Sequence, residues 1–396
     1  MDSQQPATGG NVHHHIRHRP TLPVTLAFAL AISALGATPA DAAAASVNGA
    51  DSYIIVLNDG VDPTSIAQQH AARFGLTLGF VYEHALRGYS AIVPGVRLAA
   101  LRAAANVKYV EPDGIATISA QTIPWGIVKI GADISSTKAG DGSGAITNVN
   151  AYIIDTGIDR AHTDLNVVRH VNFATGPNKD CHGHGTHVAG TVAAKDNTQD
   201  VVGVAPGAPL TGVKVLGCAG SGSTSGVIKG VDWVTANAAK PAIANMSLGG
   251  SASQALDDAV KRSANSGVFY AVAAGNSGDD ACNYSPARAG THDGVMTVAA
   301  TDQNDNEASF SNFGPCVDIW APGVGVLSTR KGGGTTTFSG TSMASPHVGG
   351  GGALYLSSNT TASPETVEGA LKLAAQTPGT TSKNGRTITR LYVGTF

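Results

Sequence analysis

Three stretches of this 396-residue chain carry side chains able to do chemistry together. "DCHGHGTHVAG" (180–190) sets His182, His184 and His187 beside Cys181. Three histidines at that spacing leave three readings open: a metal site, a catalytic base with two neighbours, or an accident of composition. "YIIDTGID" (152–159) places Asp155 at the end of an apolar strand, and "FSGTSMASPHVGG" (338–350) places Ser342 where a helix should open. A serine hydroxyl attacks poorly unless a base takes its proton, and that base must be held in one tautomer by an acceptor. An aspartate, a histidine and a serine in these settings supply those parts. At a helix start the serine would also sit among free N–H groups able to stabilise an oxyanion. A bare H-x-H-x-x-H metal site leaves Asp155 and Ser342 without a role.

The elements that must position them follow from the apolar pattern. "NAYIID", "LTGVKVL", "AIANMSL", "VFYAVAAG" and "GVMTVAA" are continuous apolar runs separated by helical stretches such as "SGVIKGVDWVTANAA", "SQALDDAVKRSANSG" and "SPETVEGALKLAAQ". Ser363 and Pro364 stand at the N-cap and first position of the last of these. Apolar strands alternating with helices predict a parallel sheet covered on both faces, with its site at the carboxyl ends of the strands. Asp155 ends the first strand and Asn276 follows the fourth.

Residues 51–118 read differently. "SYIIVL", "DPTSIAQQHAARFG", "TLGFVY", "GYSAIVPG", "VRLAALRAAANV" and "VKYVEP" give β-α-β-β-α-β, a small ferredoxin-like α+β unit. It holds no Ser, His and acid constellation. Ahead of it, Arg17 and Arg19 precede the apolar run 22–37 and the Ala40-x-Ala42 spacing, the pattern of a secretory signal over 1–42. That run is too short to span a bilayer, so no membrane association is expected after processing. Charged residues are only 13% and the net charge is -3, which gives no footprint for nucleic acid. Four cysteines in an exported chain favour two disulfides, with three possible connectivities.

"DTGID", "HGTHVAGT" and "GTSMASPH", in that order, resemble the motifs of the subtilisin family of serine endopeptidases, on the proteinase K and aqualysin side. The resemblance covers roughly 121–396, and 51–118 resemble the family's inhibitory propeptide. It implies a subtilisin-like α/β fold, with Asp155 orienting the imidazole, His184 as base and acid, and Ser342 as nucleophile. Asn276 in "AVAAGNSG" would be the second oxyanion donor. Gly220, Ser221 and Gly222, and Ser247, Leu248, Gly249 and Gly250, resemble the two edges that clamp substrate as an added strand. The wall formed by "SLGG" and by Ala273, Ala274 and Gly275 carries no charge, which implies broad specificity with an apolar or aromatic preference. His187 is expected to be structural and His182 a loop residue within reach of substrate. The same resemblance pairs Cys181 with Cys218 and Cys282 with Cys316, and makes Asp318 a ligand of a structural calcium ion. The chemistry itself needs no cofactor. The expected organisation is therefore a signal peptide (1–42), an inhibitory propeptide (43–120) and a catalytic domain (121–396). Such a protein would be a secreted monomer acting on proteins and peptides, with its own propeptide as first partner. A catalytically silent relative would not need all of Asp155, His184, Asn276 and Ser342. An α/β-hydrolase would want G-x-S-x-G, with the serine ahead of the acid and the histidine.

Overall fold

The computed structural model describes residues 50–113 and 121–396, which belong to two compact units divided near residue 116. The signal segment and residues 114–120, which include most of the stretch between 116 and 121 where a cut is expected, lie outside the described residues.

The first unit is built from β1 (Ala50–Leu57), α1 (Pro63–Phe74), β2 (Thr77–Tyr82), β3 (Gly88–Pro94), α2 (Gly95–Arg102) and β4 (Val107–Pro112). The four strands form an antiparallel sheet in the order β2-β3-β1-β4, the arrangement of the β-α-β-β-α-β unit read from the sequence. Local chemistry sets its limits. Asp62 caps α1 by accepting the Ser65 N–H at 3.0 Å, and Pro63 costs nothing at the first helical position. Gly75 ends the helix with φ +67°, a backbone region that side chains disfavour. Ile55, Leu57, Phe74, Tyr89, Val93 and Leu101 fill its core.

The second unit holds seven parallel strands. After the short α3 (Trp125–Lys129) come β5 (Asn150–Asp155), β6 (Val167–Asn172), α4 (His184–Ala193), β7 (Leu210–Lys214) and α5 (Thr224–Asn237). Next are β8 (Ala242–Met246), β9 (Gly250–Ser251), α6 (Gln254–Asn265), β10 (Val268–Ala273), β11 (Tyr284–Ser285) and β12 (Val295–Thr301). Last come β13 (Ile319–Pro322), the hairpin β14 (Val326–Thr329) and β15 (Thr335–Phe338), α7 (Thr341–Ser358) and α8 (Pro364–Ala374). The sheet order is β13-β12-β10-β8-β5-β7-β6.

Alternation explains why the strands read as unbroken apolar runs. Ala151 and Ile153 of β5 point into a core shared with α4, α7 and α8, while Tyr152 and Ile154 point into a second core under α5 and α6. With both faces covered, β7, β8, β10 and β12 are buried throughout, while the edge strand β6 is part exposed. From β5 the chain passes to the edge strand β6, returns to β7 beside β5, and then crosses to β8 and runs outward to β13. The crevice at the carboxyl ends of β5 and β8 is therefore the switch point where such sheets bind ligands.

Candidate active site

β5 ends at Asp155, whose side chain is fully buried. Its Oδ1 accepts the Thr156 N–H at 2.6 Å, and its two oxygens lie 2.8 and 3.0 Å from His184 Nδ1. The carboxylate therefore fixes the imidazole with Nδ1 protonated and Nε2 free to act as a base. His184 opens α4, and the turn before it depends on Asp180. That buried carboxylate accepts the His182, Gly183 and Thr186 N–H groups at 3.0, 2.8 and 3.0 Å, with the hydroxyls of Thr156 and Thr186. A negative charge capping a helix start is stabilising on both counts, hydrogen bonds and dipole. Burial pulls the His184 pKa down, but the charge and hydrogen bond of Asp155, helped by Asp180, outweigh it. The net result is a pKa above the ordinary histidine value.

Ser342 is the second residue of α7, in the turn whose N–H groups have no intrahelical acceptor. Four residues on, Pro346 has no N–H to give to the Ser342 carbonyl. The hydroxyl of Ser247 donates to that carbonyl instead, at 2.7 Å. Asn245 donates to the Ser247 hydroxyl at 2.9 Å and accepts from the Ser345 hydroxyl at 2.8 Å. A buried polar chain thus holds the backbone of Ser342 against the end of β8. The Ser342 hydroxyl donates to the Ser247 carbonyl at 3.2 Å rather than to His184, so it must turn toward the imidazole before it can react.

Asn276 follows β10. Its Oδ1 accepts both the N–H and the hydroxyl of Thr341, each at 2.9 Å. An N–H donor demands an oxygen there, so the amide orientation is fixed and Nδ2 is left as a donor. A carbon placed where a Gly340 Cβ would be lies 3.6 Å from both Asn276 Nδ2 and the Ser342 nitrogen. Both nitrogens thus border the space beside that glycine.

Two cavities flank the segment 248–251. One, of about 380 Å³, has Gly220–Gly222 along one wall, Ser247–Gly250 along the other, and His182 and His184 at its side. The other, of about 250 Å³, lies between that segment and Ala273–Asn276, with Ser342 at its mouth. No charged side chain lines the second cavity. Every residue expected in the substrate walls borders one of the two. Tyr284 and Thr341 also line the second cavity. Neither figured in the sequence reading, nor did the Asn245–Ser247–Ser345 chain or the cap at Asp180.

His187 is buried, stacked on Phe338 at 4.6 Å, with Nε2 bonded to the Val326 and Thr336 carbonyls. Burial pushes its pKa down to about 4, so it is neutral and structural. His182 is exposed at the rim, its ring 6.3 Å from that of His184. Cys181 is bonded to Cys218 and Cys282 to Cys316, which leaves one of the three connectivities.

Asp318, the residue expected at a calcium ion, has both carboxylate oxygens engaged. Its Oδ1 lies 2.7 Å from Lys372 Nζ and its Oδ2 accepts the Thr297 N–H at 2.8 Å. The carbonyl of Ala287 in the neighbouring loop is taken by the Thr297 hydroxyl at 2.6 Å. Calcium needs six to eight oxygens around one point, and here an ammonium stands against the carboxylate.

Residues 147–392 match the Subtilase family. The chain is a subtilase. It is 41% identical over 371 residues to the alkaline serine exoprotease A of Vibrio alginolyticus, covering 87% of this chain and 67% of that protein. It is 45% identical over 325 residues to an extracellular serine proteinase of a Thermus strain, covering 79% of this chain and 76% of the relative. Among solved structures, a cold-adapted subtilisin-like serine proteinase superposes with a TM-score of 0.59 at 45% identity, covering 63% of this chain and 92% of that one. The subtilase reading makes the chain a serine-type peptidase with the subtilisin-like α/β fold.

Proposed function

We propose that this subtilase is a secreted endopeptidase that cleaves peptide bonds through Asp155, His184 and Ser342 and matures by cutting its own precursor. The observation that carries the reading is the pair of oriented groups at the switch point. His184 is held through Nδ1 by a buried carboxylate, and Asn276, anchored on Thr341, has Nδ2 bordering the same space beside Gly340 as the Ser342 nitrogen.

In the reaction, the Ser342 hydroxyl leaves the Ser247 carbonyl for His184 Nε2. It gives up its proton there as Oγ bonds to the substrate carbonyl carbon. The carbonyl electron pair moves onto oxygen, where Asn276 and the Ser342 N–H stabilise it. The imidazolium, balanced by Asp155, returns the proton to the leaving amine as the C–N bond breaks. Water then releases the acyl group by the same steps reversed. Substrate lies as a strand between 220–222 and 248–250, so backbone pairing supplies affinity with little demand on sequence. The uncharged 250 Å³ cavity at Ser342 takes an apolar or aromatic side chain before the scissile bond.

Residues 43–120 serve as the inhibitory propeptide. A tail tethered to the cleft is cut intramolecularly because its effective concentration is high, between residues 116 and 121. Secretion is supported by the 1–42 pattern and by relatives named as extracellular or exoproteases. No helix among the described residues is long and apolar enough to cross a membrane. The test is expression of wild type and Ser342→Ala in a protease-deficient secreting host. Wild type should yield a mature chain of 276 residues (396 minus 120) that digests casein and is blocked by a serine-directed phosphonate. Ser342→Ala should remain an uncut, inactive precursor. An active Ser342→Ala protein would refute the triad, and an inactive one that still matures would refute self-processing alone.

A further inference from the structure

Asp318 and Glu368 are two nearly buried carboxylates with one ammonium between them. Lys372 Nζ lies 2.7 Å from Asp318 Oδ1 and 2.5 Å from Glu368 Oε1. The remaining two oxygens are also engaged. Asp318 Oδ2 accepts the Thr297 N–H at 2.8 Å and Glu368 Oε2 accepts the Gly294 N–H at 2.5 Å. All four carboxylate oxygens therefore have a donor. The side chains of Asp318 and Glu368 are 10% and 8% exposed, while that of Lys372 is 42% exposed. The lysine thus seals the pair from outside and keeps one N–H for water. Burial works against its charge, but Asp318 and Glu368 outweigh that and raise its pKa.

From this geometry we infer that Lys372 is a built-in cation at Asp318, the residue for which the motif resemblance implied a calcium ion, so that this corner of the molecule is locked without metal. The elements joined are those an ion would join. Gly294 precedes β12 and Thr297 lies near its start, Asp318 precedes β13, and Glu368 and Lys372 lie one turn apart on α8. A doubly charged ion would meet the ammonium, and the nearest loop offers a carbonyl already engaged by Thr297. A residue at i+4 from Glu368 reaches it without strain, and an ammonium supplies point charge without the six to eight ligands of calcium. The lock sits at the amino ends of β12 and β13, whereas the site of catalysis lies at the carboxyl ends. It should therefore govern stability and leave the chemistry untouched.

The test uses mature enzyme inactivated with a sulfonyl fluoride, melted in EDTA and in millimolar calcium chloride. Wild type and Lys372→Arg should give the same difference in Tm between the two buffers. Lys372→Met strands two buried carboxylates and should lose about 6 °C or more in EDTA. It should recover at least half of that in calcium, because the vacated space then suits a hard cation. Initial kcat/KM of the untreated Lys372→Met enzyme at room temperature should match wild type. The inference fails if Lys372→Met responds to calcium no more than wild type does. It fails equally if a calcium response present in wild type disappears in Asp318→Asn. Should Lys372→Met not fold, calcium titration decides: wild type and Asp318→Asn should bind the same number of ions, and a loss of one ion in the variant would overturn the inference.

Discussion

Helix α7 runs behind the nucleophile and carries four successive buried glycines, Gly349–Gly352, an unusual load for a helix. Each glycine costs about 0.8–1.0 kcal/mol relative to alanine in a helix interior, so each needs a packing reason. Three have one. A Cβ at Gly350 would fall 2.6 Å from Val204 Cβ, and at Gly352 2.6 Å from the Phe269 ring. At Gly351 it would fall 3.0 Å from Val393 Cγ1. Gly349 has no such reason. Its Cβ would lie 3.6 Å from Asn245 Cβ, Asn245 Oδ1 and Ile243 Cδ1, ordinary van der Waals contact. Gly349→Ala should therefore gain the helix propensity, with up to about 0.8 kcal/mol more from burying the methyl group. At roughly 2–4 °C per kcal/mol for a domain of this size, Tm should rise by at least about 2 °C. Gly350→Ala and Gly352→Ala should lower it, since overpacking costs about 1–3 kcal/mol and exceeds the propensity gain. The assay is scanning calorimetry of sulfonyl-fluoride-inactivated protein at one scan rate, which removes self-digestion and keeps irreversible unfolding comparable. A Tm for Gly349→Ala at or below wild type would refute the reasoning. So would a Gly352→Ala protein as stable as Gly349→Ala, because contact geometry would then not discriminate among the four.

Two further predictions concern catalysis. Asn276→Leu should lower kcat by about 10²–10³ with little change in KM, a magnitude known for the matching donor of subtilisin. A KM effect alone would mean that Asn276 binds substrate rather than the oxyanion. His184 must be neutral to act as base, and its pKa is raised. kcat/KM should therefore fall as pH drops through a value above the ordinary 6.5. Asp155→Asn removes the main raising influence and leaves burial to lower the pKa, so the limb should move to lower pH while kcat falls steeply. A limb that stays in place would assign it to another group.

The sequence made legible whatever is local. A strand ending in Asp155, a helix opening at His184 and another with Ser342 in its first turn are each decided within a few residues, by apolar runs and by glycines before the helices. The five buried strands were readable because both faces of the sheet are covered. β6 and the short β13 were not, since "VVRHVN" is half exposed at the sheet edge and "IWAP" stops at a proline. What escaped the reading pairs residues far apart in the chain. Asn245 meets Ser345 across 100 positions, and Ser247 meets Ser342 across 95. Polar side chains of this kind are common in any sequence, and only folding reveals which of them share a buried hydrogen bond.

The two cases differ in how the local sequence points beyond itself. Pro346 could have announced the network, because a proline inside a helix always frees the carbonyl four residues earlier. At Ser342 that freed carbonyl belongs to the nucleophile, so some donor had to be supplied from outside the helix. Ser247 supplies it from a segment that also forms a wall of the cleft. The same residue thus joins the backbone of the nucleophile to the strand on which substrate would lie. Asp318 gave no such hint. Its motif resembles a calcium ligand, and the lysine that stands against it is 54 positions away (372 minus 318) on another helix. A motif reports which side chain faces a site, whereas the charge that balances it can come from anywhere in the fold.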